Sequence, residues 1–580
     1  MNAPFTLRKT SVSSHFDWPQ TLHPLLKRIY SSRLQQSFDE TQLTFEQLLD
    51  PLSLKGVEQA AHIIIEAIEQ QSKVLIVGDF DVDGATSTAL AMRALPLFGI
   101  RQLDYLVPNR FNFGYGLSVG LVKEAIKLKP ELIITVDNGI SSIDGIKLAR
   151  QHDIKVIVTD HHLAGEQLPD AQAIVNPNQP GDQFASKNLA GVGVMFYLLL
   201  GLRKCMREQQ LFAKMAIKEP NLANFLDLVA LGTVADVVPL DQNNRILVKE
   251  GLKRIRAGLC VPGISALLKV AGRQPATVVA ADMGFAVGPR LNAAGRLDDM
   301  TIGIACLLAD EAEAFSIAQR LNELNQERRQ IESEMQQSAL AYLQQIEADN
   351  INLSGVVLFD EDWHQGVIGI LASRVKEKLH RPVVIMAAGD DQQIKGSARS
   401  IPGIHIRDVF AAVDTRHPGL IIKFGGHAMA AGLTIHEDGL QTFMQAFNSE
   451  VERIATDDIL NREILTDGPL AANEFSFATI DLLEQAGPWG QGFPEPVFSG
   501  EFEVIQQRIL KDRHYKLVLK PKLANADENL YLDGIAFNQL DGTESQTLLP
   551  EEIAISYKLN INEFNGNRNL QLMIDTIHSG

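Results

Sequence analysis

The chain has 580 residues and a formal net charge of −18 at pH 7. Such a length predicts several domains, and the negative charge argues weakly against indiscriminate binding to duplex nucleic acid, which relies on an excess of Lys and Arg. The N-terminus has no apolar signal core, and the longest apolar runs are too short to span a bilayer. Three scattered cysteines, Cys205, Cys260 and Cys306, show no metal or disulfide spacing. We therefore expect a soluble protein of a reducing cytoplasm.

The first strong strand signal is the apolar run at 74–77, which three aspartates follow at alternate positions. Strand alternation would point Asp79, Asp81 and Asp83 to one side of an extended backbone. Carboxylates gathered in this way repel one another unless a cation lies between them, and oxygen ligands favour magnesium or manganese. A solvated acidic turn would explain a single Asp-x-Asp pair about as well. Three acids in alternation favour the metal.

Two further apolar runs, at 132–136 and 154–159, also end in polar clusters. The first is followed by Asp137-Asn138-Gly139 and the second by Asp160-His161-His162. Helical patterns at about 85–98, 118–128 and 141–152 separate the strands, so the fold class predicted is α/β with a doubly wound parallel sheet. Its carboxyl edge would then gather Asp79, Asp81, Asp83, Asp137, Asp160, His161 and His162.

A fourth candidate cluster lies at 226–240, where Asp236 stands in an otherwise apolar stretch. Asp227 is a weaker candidate, because it could simply cap a helix. With Asp137 as a bridging carboxylate and His161 as a nitrogen ligand, the spacing favours two ions, which in such sites lie roughly 3.5–4 Å apart. His162 could be a second ligand, or it could contact phosphoryl oxygens as a donor or general acid.

The rest of the chain divides by periodicity and by breakers. Residues 1–45 look like a loosely folded lead-in, and a polar run without Pro or Gly from 310 to about 347 predicts one long connecting helix. Strand and helix patterns return after it, and short alternating runs near the C-terminus predict a small β-barrel. The predicted limits are 1–45, 46–305 for the metal domain, 306–350 for the connector, 351–458 for a second domain and 459–580 for the barrel.

Several groups could bind a phosphate or a base. Glycines let backbone amides approach a phosphate and Arg binds it bidentately, which singles out the segments 396–400 and 425–427, although either could be an ordinary tight turn. Phe111, Phe113 and Tyr115 could stack on bases, but aromatics beside an apolar sheet are more often core. The basic residues expected to offset the negative charge locally are Arg110, Arg290, Arg296, Lys395, Arg399 and Arg407.

The order of the four clusters, Asp-x-Asp-x-Asp-Gly, Asp-Asn-Gly, Asp-His-His and Gly-Thr-Val-Ala-Asp, resembles the DHH phosphoesterase superfamily. Within it, the segments 107–118, 288–298 and 424–433 are similar to those of the bacterial RecJ family of single-strand-specific 5′→3′ DNA exonucleases. The resemblance covers about residues 45–580. It implies a DHH domain joined by the long helix to a smaller α/β DHHA1 domain, with an OB-fold as the C-terminal barrel.

The resemblance also implies a function and a set of site residues. The function would be two-metal hydrolysis of single-stranded DNA to 5′-mononucleotides in recombination and repair, with manganese or magnesium. Partners would be a single-strand-binding protein and a RecQ-type helicase, and the enzyme would be a monomer. Catalytic candidates are Asp81, Asp83, Asp137, His161, His162 and Asp236. Metal candidates are Asp79, Asp81, Asp83, Asp137, His161 and Asp236. Substrate-binding candidates are Arg110, Asn138, Arg290, Arg296, Ser397, Arg399, Gly425, Gly426 and His427, of which those from the second domain would hold a terminal 5′-phosphate.

Three other functions remain open from the residues. A DHH phosphoesterase could act on nucleotides, short oligonucleotides or pyrophosphate, but the size and the extra barrel argue against a small substrate. A non-catalytic replication scaffold would have lost metal ligands that are present here. A haloacid-dehalogenase-type phosphatase is suggested faintly by the segment 81–86, but it would not need Asp160-His161-His162.

Overall fold

The structure is a computed structural model that describes residues 3–10, 16–109, 116–348, 353–523, 529–540, 548–564 and 567–579. It divides into two compact units, which are described separately below. One unit comprises Phe5–Asn322 with Leu465–Gly580, and the other comprises Met1–Pro4 with Glu323–Ile464. Among the described helices, none combines the length and apolar character needed to cross a membrane.

The described part of the N-terminal segment is folded, so the expectation of a loose lead-in was wrong. It contains a short strand β1 (Phe5–Leu7) and a helix α1 (Pro24–Tyr30), which the side chain of His23 caps. Ile29 and Leu34 are fully buried. The sequence signal was weak because this segment makes contacts with distant parts of the chain, such as the hydrogen bond from the Tyr30 hydroxyl to the Ala486 carbonyl.

A five-stranded parallel sheet forms the centre of the first unit, as predicted. Its strands are β2 (Lys73–Val77), β3 (Gln102–Leu106), β4 (Leu132–Val136), β5 (Lys155–Thr159) and β6 (Ala173–Val175). They lie in the order β3-β2-β4-β5-β6 and all pair in parallel. Helix α2 (Val57–Gln70) precedes β2, and α3 (Val82–Phe98), α4 (Val119–Lys127) and α5 (Ile143–Gln151) lie between the strands along the chain. The carboxyl ends of β2, β4 and β5 therefore meet at one edge.

A group of helices follows the sheet. These are α6 (Gly191–Glu208), α7 (Leu211–Lys214), α8 (Leu226–Ala235), α9 (Gln242–Arg256), α10 (Pro262–Val270), α11 (Ala280–Asp282), α12 (Gly288–Leu297) and α13 (Thr301–Leu308). A π-helical turn, Met283–Val287, joins α11 to α12, and its hydrogen bond from the Gly288 N–H to the Met283 carbonyl spans five residues.

The predicted connecting helix is present as α14 (Glu311–Ala348), whose first turn is capped by the Asp310 carboxylate. It is amphipathic where it enters the second unit, because Met335, Ala339 and Leu343 are buried at a spacing of four residues. Its residues up to Asn322 belong to the first unit and those from Glu323 to the second.

The second unit is a smaller α/β fold around a mixed sheet. Its strands β7 (Val356–Asp360), β8 (Val383–Ala388), β9 (Gln393–Arg399), β10 (Ile421–Gly426) and β11 (Ala430–His436) lie in the order β10-β11-β9-β8-β7. Only β7 and β8 pair in parallel. The helices of this unit are α15 (Ile368–Leu379), α16 (Ile406–Arg416), α17 (Leu440–Ile454) and α18 (Asp457–Leu460).

The C-terminal part returns to the first unit and contains the predicted barrel. After a short strand β12 (Ile464–Thr466) and a helix α19 (Phe477–Ala486), five strands close in the order β13-β14-β15-β17-β16. They are β13 (Phe498–Leu510), β14 (His514–Pro521), β15 (Leu532–Ala536), β16 (Glu552–Phe564) and β17 (Asn567–Ser579). A closed five-stranded barrel is the architecture of an OB-fold.

A buried ion pair ties the N-terminal segment to the start of this C-terminal part. The Arg33 guanidinium donates to both oxygens of Asp467 at 2.6 and 2.9 Å, and the two side chains are each 1% exposed. Asp467 also accepts a hydrogen bond from the Val497 N–H. Both partners are thus fully desolvated, so each depends on the other.

Replacing Asp467 with Ala is expected to destabilise the first unit by about 3–5 kcal/mol, because it leaves the Arg33 charge buried and unpaired. Thermal and urea unfolding measure the effect. The double variant Arg33→Met with Asp467→Leu should recover most of the loss, since it removes both charges. Lys127→Ala, which breaks the exposed pair with Glu124, is the matched control and should change stability by less than about 0.5 kcal/mol. An equally small effect of Asp467→Ala would contradict this account.

Candidate active site

The turn between β2 and α3 carries the first three aspartates, but it is not extended as predicted. β2 ends at Val77, Asp81 caps α3 by accepting a hydrogen bond from the Gly84 N–H at 3.0 Å, and Asp83 lies in the first helical turn. A side chain at Gly84 would meet the Asp79 backbone at 2.5–2.7 Å, so only glycine permits this tight turn. The carboxylates converge through a helix cap rather than through strand alternation.

Asp83 is held by the start of helix α6. Its carboxylate accepts hydrogen bonds from the Gly191 N–H at 2.5 Å and the Val192 N–H at 2.9 Å. A Cβ at Gly191 would lie 2.5 Å from the Asp137 Cβ, so glycine lets the helix end approach the acids closely. The positive end of the α6 dipole therefore faces the carboxylates. The sequence analysis missed this contact, whose only signal was the Gly-Val-Gly at 191–193.

Asp137 and His161 form the centre of the cluster. Asp137 follows β4 with a backbone φ of 62°, which is sparsely populated for residues other than glycine. The His161 Nε2 lies 3.2 Å from Asp137 Oδ1, 3.5 Å from Asp236 Oδ2 and 3.9 Å from Asp83 Oδ2. This nitrogen is buried and makes no hydrogen bond within the described residues. The structure thus brings together side chains from the ends of β4, β5 and α8 and from the first turn of α3.

Asp236 reaches the cluster from the end of a helix. It is the residue after α8, and its side chain is 21% exposed. Asp227, in the first turn of the same helix, is fully buried and accepts a hydrogen bond from the Val261 N–H at 2.7 Å. Asp227 is therefore structural, which agrees with its weaker standing in the sequence.

The donor atoms suit a divalent cation. Three overlapping groups have ligand atoms within 4.8 Å of one another: Asp79, Asp81 and Asp137; Asp83, His161 and Asp236; and Asp137, His161 and His162. Burial and the neighbouring carboxylates raise the pKa of Asp83 to about 7 and that of Asp236 to about 8, and they raise the pKa of Asp137 well above its usual range. Burial lowers the pKa of His161, which favours the neutral, ligating form. A bound cation would relieve the mutual repulsion of the acids.

Asp160 orients the histidine pair rather than joining the cluster. Its two oxygens accept hydrogen bonds from the backbone N–H groups of Ile140, His161 and His162, and Oδ1 lies 2.7 Å from His162 Nδ1. Burial would lower the pKa of His162, but the hydrogen bond to Asp160 and its charge raise that pKa to about 9. The hydrogen bond to Asp160 therefore favours the protonated form of His162 and fixes the orientation of its ring.

The predicted substrate contacts in the first unit fall into three groups. Arg110 and the aromatics Phe111, Phe113 and Tyr115 lie outside the described residues. Asn138 is fully buried and donates to the Val77 and Val136 carbonyls, so it braces the sheet. Arg290 is also buried and donates to the Ala286 carbonyl and to Asn322 Oδ1, whereas Arg296 is partly exposed at the end of α12. For Asn138 and Arg290 the structure shows these internal hydrogen bonds, and the substrate contact stays a prediction.

The five candidates in the second unit lie together at one end of its sheet. Ser397 on β9 and Gly425 on β10 both pair with Gly432 of the intervening strand β11. Arg399 pairs with Ala430, whose carbonyl accepts the His427 N–H at 2.8 Å, and the Arg399 guanidinium donates to Ser397 Oγ at 3.2 Å. Gly425, Gly426 and His427 are exposed. Sequence segments that are 25 residues or more apart thus form one compact polar surface.

Comparison with known proteins gives three family matches along the chain. The DHH family N-terminal domain matches residues 73–233, the DHHA1 domain matches 352–453 and the RecJ OB domain matches 466–576. The single-stranded-DNA-specific exonuclease RecJ of Escherichia coli is 50% identical over 583 residues, covering 100% of both chains. The protein of that name from Bacillus subtilis is 32% identical over 90% of this chain and 64% of its own.

Solved structures agree with the sequence matches. Thermus thermophilus RecJ in complex with Mn²⁺ has a TM-score of 0.77 at 28% identity, covering 96% of this chain and 76% of that one. The Mg²⁺ complex of the same protein has a TM-score of 0.72 at 26% identity, covering 96% and 75%. The solved structures that this chain resembles thus include complexes with Mn²⁺ and with Mg²⁺. This chain belongs to the DHH family and, within it, to the RecJ exonucleases.

Proposed function

We propose that this protein is a single-stranded-DNA-specific 5′→3′ exonuclease that releases 5′-mononucleotides in DNA recombination and repair. The observation that carries the proposal is the overlap of three ligand groups around Asp137 and His161. Overlapping groups suit two manganese or magnesium ions with Asp137 between them. Such ions lower the pKa of a bound water and stabilise the attacking and leaving oxygens of a phosphoryl group.

The chain's own residues supply positioning and proton chemistry. The end of α6 fixes Asp83, and the Asp160 carboxylate, 2.7 Å from His162 Nδ1, fixes the ring of His162. We assign His162 to the scissile phosphodiester, where it donates a hydrogen bond to a phosphoryl oxygen or a proton to the leaving 3′-oxygen. Asp79, Asp81, Asp83, Asp137, His161 and Asp236 are assigned to the metals.

In the second unit, we assign the terminal 5′-phosphate to Ser397, Arg399 and the Gly425-Gly426-His427 loop. Support comes from their proximity within the sheet and from the exposure of the loop. A guanidinium and glycine amides form the kind of site that binds a phosphate tightly. A pocket for a terminal 5′-phosphate sets the direction of degradation, because a chain end fits such a pocket and an internal phosphate does not.

The other functions are less well supported. A phosphoesterase of small molecules does not need a closed barrel of the OB type, and a decayed scaffold would not keep all the acids. An aspartyl-phosphate mechanism at Asp81 is disfavoured because the Asp81 carboxylate caps α3. Three free cysteines support a reducing cytoplasm. We also propose a monomer that works with a single-strand-binding protein and a RecQ-type helicase, and we retain the domain limits 46–305, 306–350, 351–458 and 459–580.

Digestion of end-labelled DNA tests the proposal. With Mn²⁺ or Mg²⁺, 5′-labelled single strands should release labelled mononucleotide at once, whereas 3′-labelled strands should shorten progressively. A chelator should abolish both. Blunt duplex should be degraded far more slowly, because unstacking and unpairing an end costs a few kcal/mol. Initial release of the 3′ label, or equal rates on duplex and single strand, would contradict the proposal.

A further inference from the structure

An exposed aromatic ring stands on a turn that packs against the end of α8. Phe285 is 81% exposed, the largest fraction among the exposed large apolar side chains of the described residues. It stands in the π-helical turn Met283–Val287. Single exposed apolar residues are common, but π-helical turns are rare and are frequently found at functional sites. The position of this turn decides whether the ring has a role.

The turn packs against the end of α8, immediately before Asp236. A Cβ at Gly284 would lie 3.4 Å from Val234 Cγ1, and one at Gly288 would lie 3.3 Å from the Ala235 Cβ. Phe285 follows Gly284 directly, and consecutive Cα atoms are about 3.8 Å apart. The ring is therefore attached to backbone that touches the residues preceding a metal-ligand candidate.

The helix that continues from this turn reaches the other side of the cluster. A Cβ at Gly295 of α12 would lie 2.1 Å from the Phe80 carbonyl oxygen, between Asp79 and Asp81. The segment 283–297 thus contacts both the end of α8 and the turn after β2. Arg296, partly exposed, lies at the Phe80 end of this segment. An aromatic ring and a cation along one edge of a catalytic site are the elements of single-strand binding.

Val237, the residue that follows Asp236 in the chain, is a second exposed apolar residue near the end of α8. It is 61% exposed and has a backbone φ of 63°, which is an outlier for a β-branched residue. Strained backbone persists where the surrounding structure imposes it, and it clusters at active sites. Two exposed apolar side chains therefore flank the end of α8, one of them on strained backbone and the other on a π-helical turn.

We propose that Phe285 is a base-stacking subsite, on which a base of the single strand next to the scissile phosphate stacks. The proposal rests on the proposed function and adds to it a position-specific contact with a base. Stacking tolerates every base, because each has a π face, so the subsite fits an enzyme that degrades any sequence. The metal-ligand candidates near both ends of the segment 283–297, and the cation Arg296 on that segment, favour a nucleic-acid occupant over a protein partner.

Strands with one abasic site at each of the first positions from the 5′ end test the proposal. Binding is measured by fluorescence anisotropy in chelator, and hydrolysis with Mn²⁺, for the wild type, Phe285→Ala, Phe285→Leu and Phe285→Trp. At one position the abasic site should weaken wild-type binding and raise KM roughly tenfold. Phe285→Ala should bind the intact strand as weakly as the wild type binds the abasic strand, and the abasic site should cause no further loss. Phe285→Trp should again bind the intact strand more tightly than the abasic strand, whereas Phe285→Leu should not.

Phe45→Ala is the matched control, because Phe45 is also an exposed aromatic (44%) but lies in the N-terminal segment. It should behave as the wild type. If Phe285→Ala keeps the full abasic penalty at every position, or if Leu restores discrimination as well as Trp, the subsite is refuted while the exonuclease assignment stands. If the wild type neither binds nor degrades single strands, both the subsite and the proposed function are refuted.

Discussion

Replacing Asp137 with Asn is expected to lower kcat on single-stranded DNA by about a thousandfold or more. Asp137 belongs to two of the three ligand groups, and its Oδ1 lies 3.2 Å from the Nε2 of His161, which belongs to the third. The activated water and the clamp on the phosphoryl group together contribute several kcal/mol, and about 1.4 kcal/mol corresponds to tenfold in rate. Single-turnover kinetics with Mn²⁺ measure the effect. We expect a similar loss of kcat, with DNA binding retained, in Asp83→Ala, His161→Ala and Asp236→Ala.

The same variant should be more stable than the wild type when no metal is present. Burial and neighbouring acids raise the folded-state pKa of Asp137 well above its value in the unfolded chain. A carboxyl with a raised folded pKa destabilises the fold above its unfolded pKa of about 4, and the penalty grows until the folded pKa is passed. In chelator, the Asn variant should therefore be more stable than the wild type at pH 8, and the difference should shrink towards pH 4. Added Mn²⁺ should raise the melting temperature of the wild type much more than that of the variant.

Asp227→Asn is the control for both effects. Asp227 is also fully buried and its pKa is also raised by burial, but it bonds the Val261 N–H outside the ligand groups. It should keep metal-dependent activity and its response to Mn²⁺. Near-normal turnover of Asp137→Asn in clean preparations would show that the metals are not held as we propose.

Arg399→Ala should raise KM for 5′-phosphorylated strands by about ten- to a hundredfold. A hydrogen-bonded contact with a charged group is worth about 1.5–3 kcal/mol, and Arg399 is the cation of the polar surface that contains Ser397 and His427. The effect should fall mainly on KM, because the contact is the same in the ground state and the transition state. His427→Ala should have the same effect to a smaller degree.

The defect of Arg399→Ala should shrink on 5′-hydroxyl strands, where wild type and variant both lack the contact. Arg407→Ala is the control, since it removes an exposed cation from α16 of the same unit. It should affect both substrates equally and slightly. An identical defect of Arg399→Ala on the two substrates would show that Arg399 does not recognise the chain end.

The parallel sheet and its polar edge could be predicted because both are encoded locally. Each strand is a short apolar run, and each run ends in a conspicuous cluster such as Asp160-His161-His162. The long helix could be predicted for the same reason, because a polar run of 38 residues without Pro or Gly has few alternatives to a continuous helix. Local pattern was sufficient wherever the residues that determine a feature are neighbours in the chain.

Features set by distant contacts could not be predicted. The helix caps at Asp81 and Asp83 depend on Gly84 and on the remote α6, and an Asp at a strand end gives no sign of such partners. Arg33 looked like an ordinary surface residue until its partner Asp467, 434 positions away, was known. Arg290 donates a hydrogen bond to Asn322, 32 positions away, and no local pattern reveals that contact.

Anomalous diffraction from crystals soaked in Mn²⁺ tests the central claim most directly. We expect two manganese peaks, both in contact with Asp137 and at least one in contact with His161. Both peaks should be lost in Asp137→Asn crystals. If the protein degrades single-stranded DNA with manganese but its crystals show no manganese at this cluster, the assignment of the metal site is wrong.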